Sequence, residues 1–379
     1  MKVIPLSRPD ITAFDKRKVL QNLNSLRLSR GPLVDEFEAR VADFVGRRYA
    51  VAVNSGTSAL HLIVKALGLK KGDEVITTPF SFIASTNCLY YEGIKPVFVD
   101  IRPDTLNIDP DKIVKALSPR TKAILAVDIF GHPADWDALT SIARQYGLRL
   151  IEDSCEAFGS VYKGRKAGSF GDAAAFAFYP NKQMTTAEGG VVVTDLKAVA
   201  DRGRCLRNQG HRKEGQRTVY REIGYSYRLS DIHCALGLSQ LEQISRFMAR
   251  RARVAAMYQN ALSSLTEFEL PYIAPEVTVS WFVYAPRLKK KYRRSQRDKL
   301  LLELSKNGIE CNVYFEPIHM QPFYKKWLKT GRGDFPVTES AADRILALPF
   351  HNRLSADEVK RIARQLKKSI IQLKHNPRG

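Results

Sequence analysis

From residue 50 to residue 194, short apolar runs alternate with stretches that are apolar on one side only. The runs fall at 50–53, 74–77, 96–99, 123–127, 148–151, 173–178 and 191–193. Runs this short and this continuously apolar are the signature of strands buried on both faces, and they predict about seven strands of a parallel sheet. Between them lie helical patterns. One spans residues 58–67, with Ala59, Leu60, Leu62, Ile63, Ala66 and Leu67 on one side, and another spans 136–146. Strand-helix alternation of this length predicts a doubly wound α/β sheet with helices on both faces, whose ligands sit beyond the carboxyl ends of the strands.

After the sheet, Ser230-Asp231 reads as the cap of one long helix through Leu236, Leu241, Ile244 and Phe247 toward Tyr258. A new pattern follows: a strand at 281–288, a helix at 297–306, a strand at 309–314 and a final helix from Ser355, where Glu358 completes a capping box. This predicts a large domain over residues 1–245 and a smaller α+β domain over 246–379, with the first dozen residues packing on the latter.

Composition narrows the class. The chain has 379 residues and is 44% hydrophobic, enough for a sizeable core. No stretch has the roughly 18 apolar residues of a membrane helix, and residues 1–10 lack the features of a signal peptide, so the expected location is the cytoplasm. The five cysteines have no paired close spacing, which argues against a disulfide framework and against a metal centre. Lys and Arg number 60 against 39 acidic residues, a formal charge of +21 that would attract phosphate-bearing partners. The basic clusters, among them Arg250-Arg251-Ala252-Arg253 and Lys289-Lys290-Lys291, are dispersed and carry no nucleic-acid-binding signature. They read as solvated surface.

Three strand ends carry candidate chemistry. Asn54-Ser55-Gly56-Thr57-Ser58 lies where a strand gives way to a helix, and free amides at a helix N-terminus with two hydroxyls can make a phosphate cup. The same hydroxyls could merely cap the helix. Asp153 follows the run 148–151, and a carboxylate in that cleft needs a cationic partner. Lys182 follows the run 173–178. An amine, an anion and a phosphate cup at one crevice are what pyridoxal phosphate requires: Lys182 to hold the aldehyde as a Schiff base and move a proton, Asp153 to keep the ring nitrogen protonated.

The segments Asn54 to Leu60, Gly72-Asp73-Glu74-Val75-Ile76, Ile151-Glu152-Asp153-Ser154-Cys155-Glu156-Ala157, Phe176-Ala177-Phe178-Tyr179-Pro180-Asn181-Lys182, Gly224-Tyr225-Ser226-Tyr227-Arg228-Leu229-Ser230 and Pro317-Ile318-His319 resemble the DegT/DnrJ/StrS family of sugar aminotransferases. These are fold-type I pyridoxal-phosphate enzymes with a mostly parallel seven-stranded sheet, and the likeness covers nearly the whole chain. It is greatest toward the branch of perosamine-synthase-type enzymes. The resemblance implies a homodimer with shared active sites, a nucleotide-linked keto-sugar as acceptor, most simply a 4-keto-6-deoxyhexose, and glutamate as donor. Pyridoxamine phosphate would be the intermediate form of the cofactor. It further implies that Phe82 stacks on the pyridine ring, that Gly56, Thr57 and Ser58 bind its phosphate, and that Tyr314 and His319 meet the sugar.

Three positions depart from the pattern. Ala177 stands where many relatives have a phosphate-binding serine. Ser226 stands where many have an asparagine that reaches the neighbouring subunit's cofactor. Glu156 stands where Gln or His often faces the cofactor's phenolic oxygen, so its carboxylate either turns away or shares a proton. Lys182 itself separates the chain from relatives that dehydrate sugars and carry histidine there. Amination of a cyclitol ketone, and a non-catalytic regulator or nucleic-acid-binding protein on the same scaffold, are the competing functions.

Overall fold

The computed structural model describes residues 3–375. Its central sheet has seven strands: β1 Tyr49–Val53, β2 Glu74–Thr77, β3 Lys95–Phe98, β4 Thr121–Val127, β5 Arg149–Asp153, β6 Ala173–Ala177 and β7 Gly190–Thr194. Their spatial order is β1-β7-β6-β5-β4-β2-β3. All seven coincide with the apolar runs of the sequence. The sheet departs from a wholly parallel one at β7, which runs antiparallel to both β1 and β6.

Burial follows the two-residue period of a strand. In β1, Val51 and Val53 belong to one core cluster, while Ala50 and Ala52 belong to the cluster on the opposite face. Helix α1 (Gly56–Ala66) packs its Leu60, Ile63 and Val64 into the first cluster, and α2 (Trp136–Tyr146) covers a third with Trp136 and Leu139. Helix α3 (Lys197–Leu206) follows β7.

The expected single helix after Ser230 is two: α4 (Asp231–Glu242) and α5 (Ile244–Leu262). The break is at Gln243, with φ −104° and ψ 2°, whose side-chain amide is drawn to Asp15 Oδ1 at 2.9 Å. The Ser230 cap is present, its side chain accepting the His233 amide. Beyond lie α6 (Arg294–Lys306) and α7 (Ala356–His375). The capping box at Ser355 closes, since its N–H donates to Glu358 at 2.9 Å and Glu358 N–H donates back at 3.2 Å.

Two predicted strands are not continuous ladders. Within residues 281–288 only Arg287–Leu288 is a strand, with isolated bridges from Tyr284 to Leu348 and from Arg287 to Ile345. The carbonyls of Ser280, Trp281 and Phe282 instead accept side-chain donors from Gln183 and Arg251, which removes them from strand pairing. Within 309–314 there are isolated bridges, Ile309 to Ile4 and Asn312 to Ala347. Tyr258, Leu288, Leu300, Leu348, Ile362 and Leu366 form a further core, joined by Ile4 from the start of the chain. Among the described residues no helix is long and apolar enough to cross a membrane.

Candidate active site

At the end of β5, Asp153 is buried. Its Oδ2 accepts the Ser85 hydroxyl at 2.6 Å and its Oδ1 accepts the Cys155 amide at 3.2 Å, which fixes the carboxylate plane. Beyond β6 the chain turns, with the Lys182 amide donating to Tyr179 O at 2.9 Å. The Lys182 side chain is 13% exposed, with Nζ 3.7 Å from Glu156 Oε1. It also lies 3.9 Å from the centroid of the Phe282 ring. Glu156 is turned toward the lysine, because its other oxygen accepts the Phe130 amide at 2.8 Å. Burial pushes the Glu156 carboxyl above the usual range, while the Lys182 ammonium acts in the opposite sense.

One step from β4, Asp128 is wholly enclosed. It accepts the Ala134 amide at 2.8 Å, the Trp136 indole N–H at 3.0 Å and the Ser154 hydroxyl at 2.6 Å, and its own amide donates to Asp153 O at 3.0 Å. Burial, with the Glu152 carboxylate adding to it, raises its carboxyl to about 8.

Asp153, Glu156, Lys182, Thr57, Phe82 and Tyr314 line one cavity of about 470 Å³. Phe82 is 57% exposed although it is a large apolar residue, so part of its ring is free for a flat ligand. At the start of α1 the Ser58 amide is taken by Ser55 Oγ at 3.1 Å and the Ala59 amide by Ser55 O at 3.1 Å. The amides of Gly56 and Thr57 precede any intrahelical acceptor and are left for an anion. Gly56 is required by close approach: a Cβ there would stand 2.7 Å from Ala177 Cβ and 3.0 Å from Cys155 Sγ.

Not every expected residue reaches this cavity. Ser58 spends its hydroxyl on Asn54 Oδ1 at 2.7 Å, and it is Ser55 that lines the wall. Ser226 is exposed, and its backbone bridges to Asn208 away from this chain's cavity. His319 does not line the cavity either. The short helix Ile318–Met320 turns its imidazole inward, fully buried, with Nε2 3.2 Å from Glu339 Oε1 and the ring against Phe335. Burial makes that ring harder to protonate.

The sequence reading missed Ser85, Gln183, Phe282 and Arg251. Ser85 and Phe282 meet their partners only across long chain separations, so no local pattern marks them. The cluster Arg250-Arg251-Ala252-Arg253 reads as solvated surface in the sequence, yet Arg251 is 3% exposed, because the helix α5 turns it inward while Arg253 stays outside.

A flat cavity wall at Phe82, helix-start amides at Gly56 and Thr57, a fixed carboxylate at Asp153 and an amine at Lys182 are groups that could hold pyridoxal phosphate. Fold and site together define a fold-type I pyridoxal-phosphate-dependent transferase. The chain belongs to the DegT/DnrJ/EryC1/StrS aminotransferase family, which matches residues 9–367.

It is 35% identical over 370 residues to GDP-perosamine synthase of Caulobacter vibrioides, covering 97% of this chain and 98% of that one. Among solved structures it resembles Helicobacter pylori PseC, an aminotransferase involved in the biosynthesis of pseudoaminic acid, with a TM-score of 0.94 and 31% identity over 98% of this chain and all of that one. It also resembles the sugar aminotransferase Spr1654 of Streptococcus pneumoniae in its PLP form, at a TM-score of 0.93 and 28% identity, covering 98% of this chain and 99% of that one.

Proposed function

We infer that this aminotransferase moves an amino group from glutamate to a nucleotide-linked keto-sugar, most simply a 4-keto-6-deoxyhexose. The observation that carries the reading is the meeting of Lys182 Nζ, Glu156 and Asp153 around one cavity. The likeness to GDP-perosamine synthase supports the acceptor class, and the +21 charge suits a diphosphate-bearing substrate.

When bound, pyridoxal phosphate supplies an electrophilic carbonyl and an electron sink. The protein does the rest. Lys182 would hold the cofactor and then, freed by the donor, carry a proton between donor carbon and cofactor carbon. Asp153 would keep a proton on the ring nitrogen, and Ser85, donating to Asp153, keeps that carboxylate oriented. Glu156, whose proton affinity burial raises, would hold a proton toward the cofactor's phenolic oxygen if that oxygen lies where the resemblance implies. Phe82 would cover one ring face. Tyr314, stacked at 5.1 Å on Phe315, would form the wall that meets the sugar.

Ala177 leaves the phosphate cup with one hydroxyl fewer, so more of that contact falls on Thr57. In this reading two copies share their sites, Ser226 of each reaching toward the other's phosphate. Exposed apolar side chains such as Ile223, at 88%, and Tyr220, at 70%, lie on the same segment and would be covered by that pairing. The expected setting is the cytoplasm.

The test is a half-reaction. Purified protein loaded with pyridoxal phosphate is mixed with glutamate, and conversion to pyridoxamine phosphate is followed by absorbance. UDP-, GDP- and dTDP-linked 4-keto and 3-keto sugars and a cyclitol ketone are then offered as acceptors. Turnover on a nucleotide sugar is expected. Turnover on the cyclitol alone, or conversion by none of them, would overturn the assignment.

A further inference from the structure

Arg251 is a buried cation with no carboxylate partner among the described residues. No ion pair joins it to an acid among the described residues, and Asp10, the acid whose charge it feels, is bonded to Arg250 at 2.8 Å and Arg353 at 2.6 Å. Burial accordingly pulls the guanidinium down to about 10. An enclosed cation of this kind is costly unless dipoles surround it, and a structure that merely needed filling would use an apolar side chain.

Its Cζ lies 5.6 Å from the centroid of the Phe350 ring and its Nε has no partner among the described residues, while its two terminal nitrogens face backbone carbonyls. One terminal nitrogen donates to Lys182 O at 2.7 Å and Asn181 O at 3.4 Å. The other donates to Trp281 O at 3.1 Å and Phe282 O at 3.2 Å. The rigid fork thus fixes the distance between the segment that carries Lys182 and the segment whose Phe282 ring lies under its Nζ. Gln183 makes a second tie of the same kind, its amide nitrogen donating to Glu156 O and Ser280 O, both at 2.6 Å. The two ties flank Lys182 and hold it, Glu156 and Phe282 in one arrangement.

We propose that Arg251, with Gln183, is a positioning residue for the reaction, setting Lys182 against Phe282 from helix α5. The proposal rests on the reading that Lys182 carries the cofactor. Lysine cannot replace Arg251, because one ammonium cannot reach both pairs of carbonyls at a fixed spacing.

The experiment uses the cofactor-loaded enzyme. Wild type must show an absorbance that Lys182→Ala abolishes; if it does not, the reading of Lys182 fails and not merely this inference. For Arg251→Lys, the pH midpoint of that absorbance is expected to shift by at least about half a unit. Its kcat should fall roughly 10- to 100-fold, as for a reacting group displaced by about 1 Å, while the KM for glutamate changes less than kcat. Phe282→Leu should also shift the midpoint, and the double variant should shift little further, since both act on one contact.

A role confined to folding would instead lower the melting temperature of the cofactor-free protein and leave the midpoint in place. An unchanged midpoint, or additive effects, in folded Arg251→Lys would overturn the proposal. If that variant fails to accumulate, Gln183→Met cuts the neighbouring tie without removing a charge, and an unchanged midpoint there overturns it equally.

Discussion

Gly56→Ala perturbs the phosphate cup by a single methyl group. Carbon atoms in good contact stand about 3.5–4.0 Å apart, whereas the new Cβ would stand 2.7 Å from Ala177 Cβ and 3.0 Å from Cys155 Sγ. Something must therefore move by about 1 Å. The turn has little room to retreat, because β7 presses on it from another side: a Cβ at Gly190 would meet Ser55 O at 2.4 Å and Gly56 N at 2.7 Å. Overpacking of this kind costs about 1–3 kcal/mol.

The displaced atoms include the two free amides, so affinity for pyridoxal phosphate should fall together with stability, and a shift of about 1 Å can cost roughly 100-fold in rate. Gly203→Ala in α3 is the internal control. Its nearest neighbour would be Val51 Cγ2 at 3.6 Å, an ordinary contact, and alanine in a helix gains about 0.5–1 kcal/mol over glycine. Thermal melts with and without cofactor, and titration of the cofactor by absorbance, compare the pair. Wild-type cofactor affinity and melting in Gly56→Ala would refute the argument from close approach.

If Asp153 holds the ring nitrogen as proposed, Asp153→Asn should bind cofactor more weakly and lose most of the half-reaction rate; an unchanged rate would remove Asp153 from that role. Glu156→Gln keeps the Phe130 amide contact available but cannot exchange a proton, so the pH at which kcat falls as this carboxyl loses its proton should change while cofactor affinity stays within a few-fold; identical profiles would count against the shared proton.

Asp128 has a folded-state pKa near 8 against 3.8 when unperturbed, so the folded protein holds a proton that the unfolded chain has released. Stability should therefore decline as pH rises between about 4 and about 8, by at most about 1.4 kcal/mol per unit from this group. Asp128→Asn, which preserves the neutral form, should flatten that decline in denaturant titrations at several pH values, and an unaltered slope would refute it.

The sheet was legible because its strands are buried on both faces, which leaves uninterrupted apolar runs such as Ala123 to Val127. The reversed direction of β7 was not, since strand direction depends on the connection through residues 178–189 and not on the pattern of the strand. The same holds for residues 280–282, apolar enough for a strand, whose carbonyls are claimed by two side chains from distant segments.

At the site, Lys182, Asp153, Glu156, Thr57 and Phe82 could be placed by strand ends and motif, and they do share one cavity. His319 could not be judged that way, because its burial against Glu339 depends on a residue from another helix. Arg251 shows the converse. A run of three arginines looks like solvated surface, and only the facing of α5 turns one of them inward.

Borohydride reduction of the loaded protein, followed by peptide mass spectrometry, tests the central claim most directly. The mass of the reduced cofactor is expected on the peptide that contains Lys182, and the Asp153→Asn protein should carry less of it. Cofactor found on a different lysine, or on none, would contradict the whole account of the site.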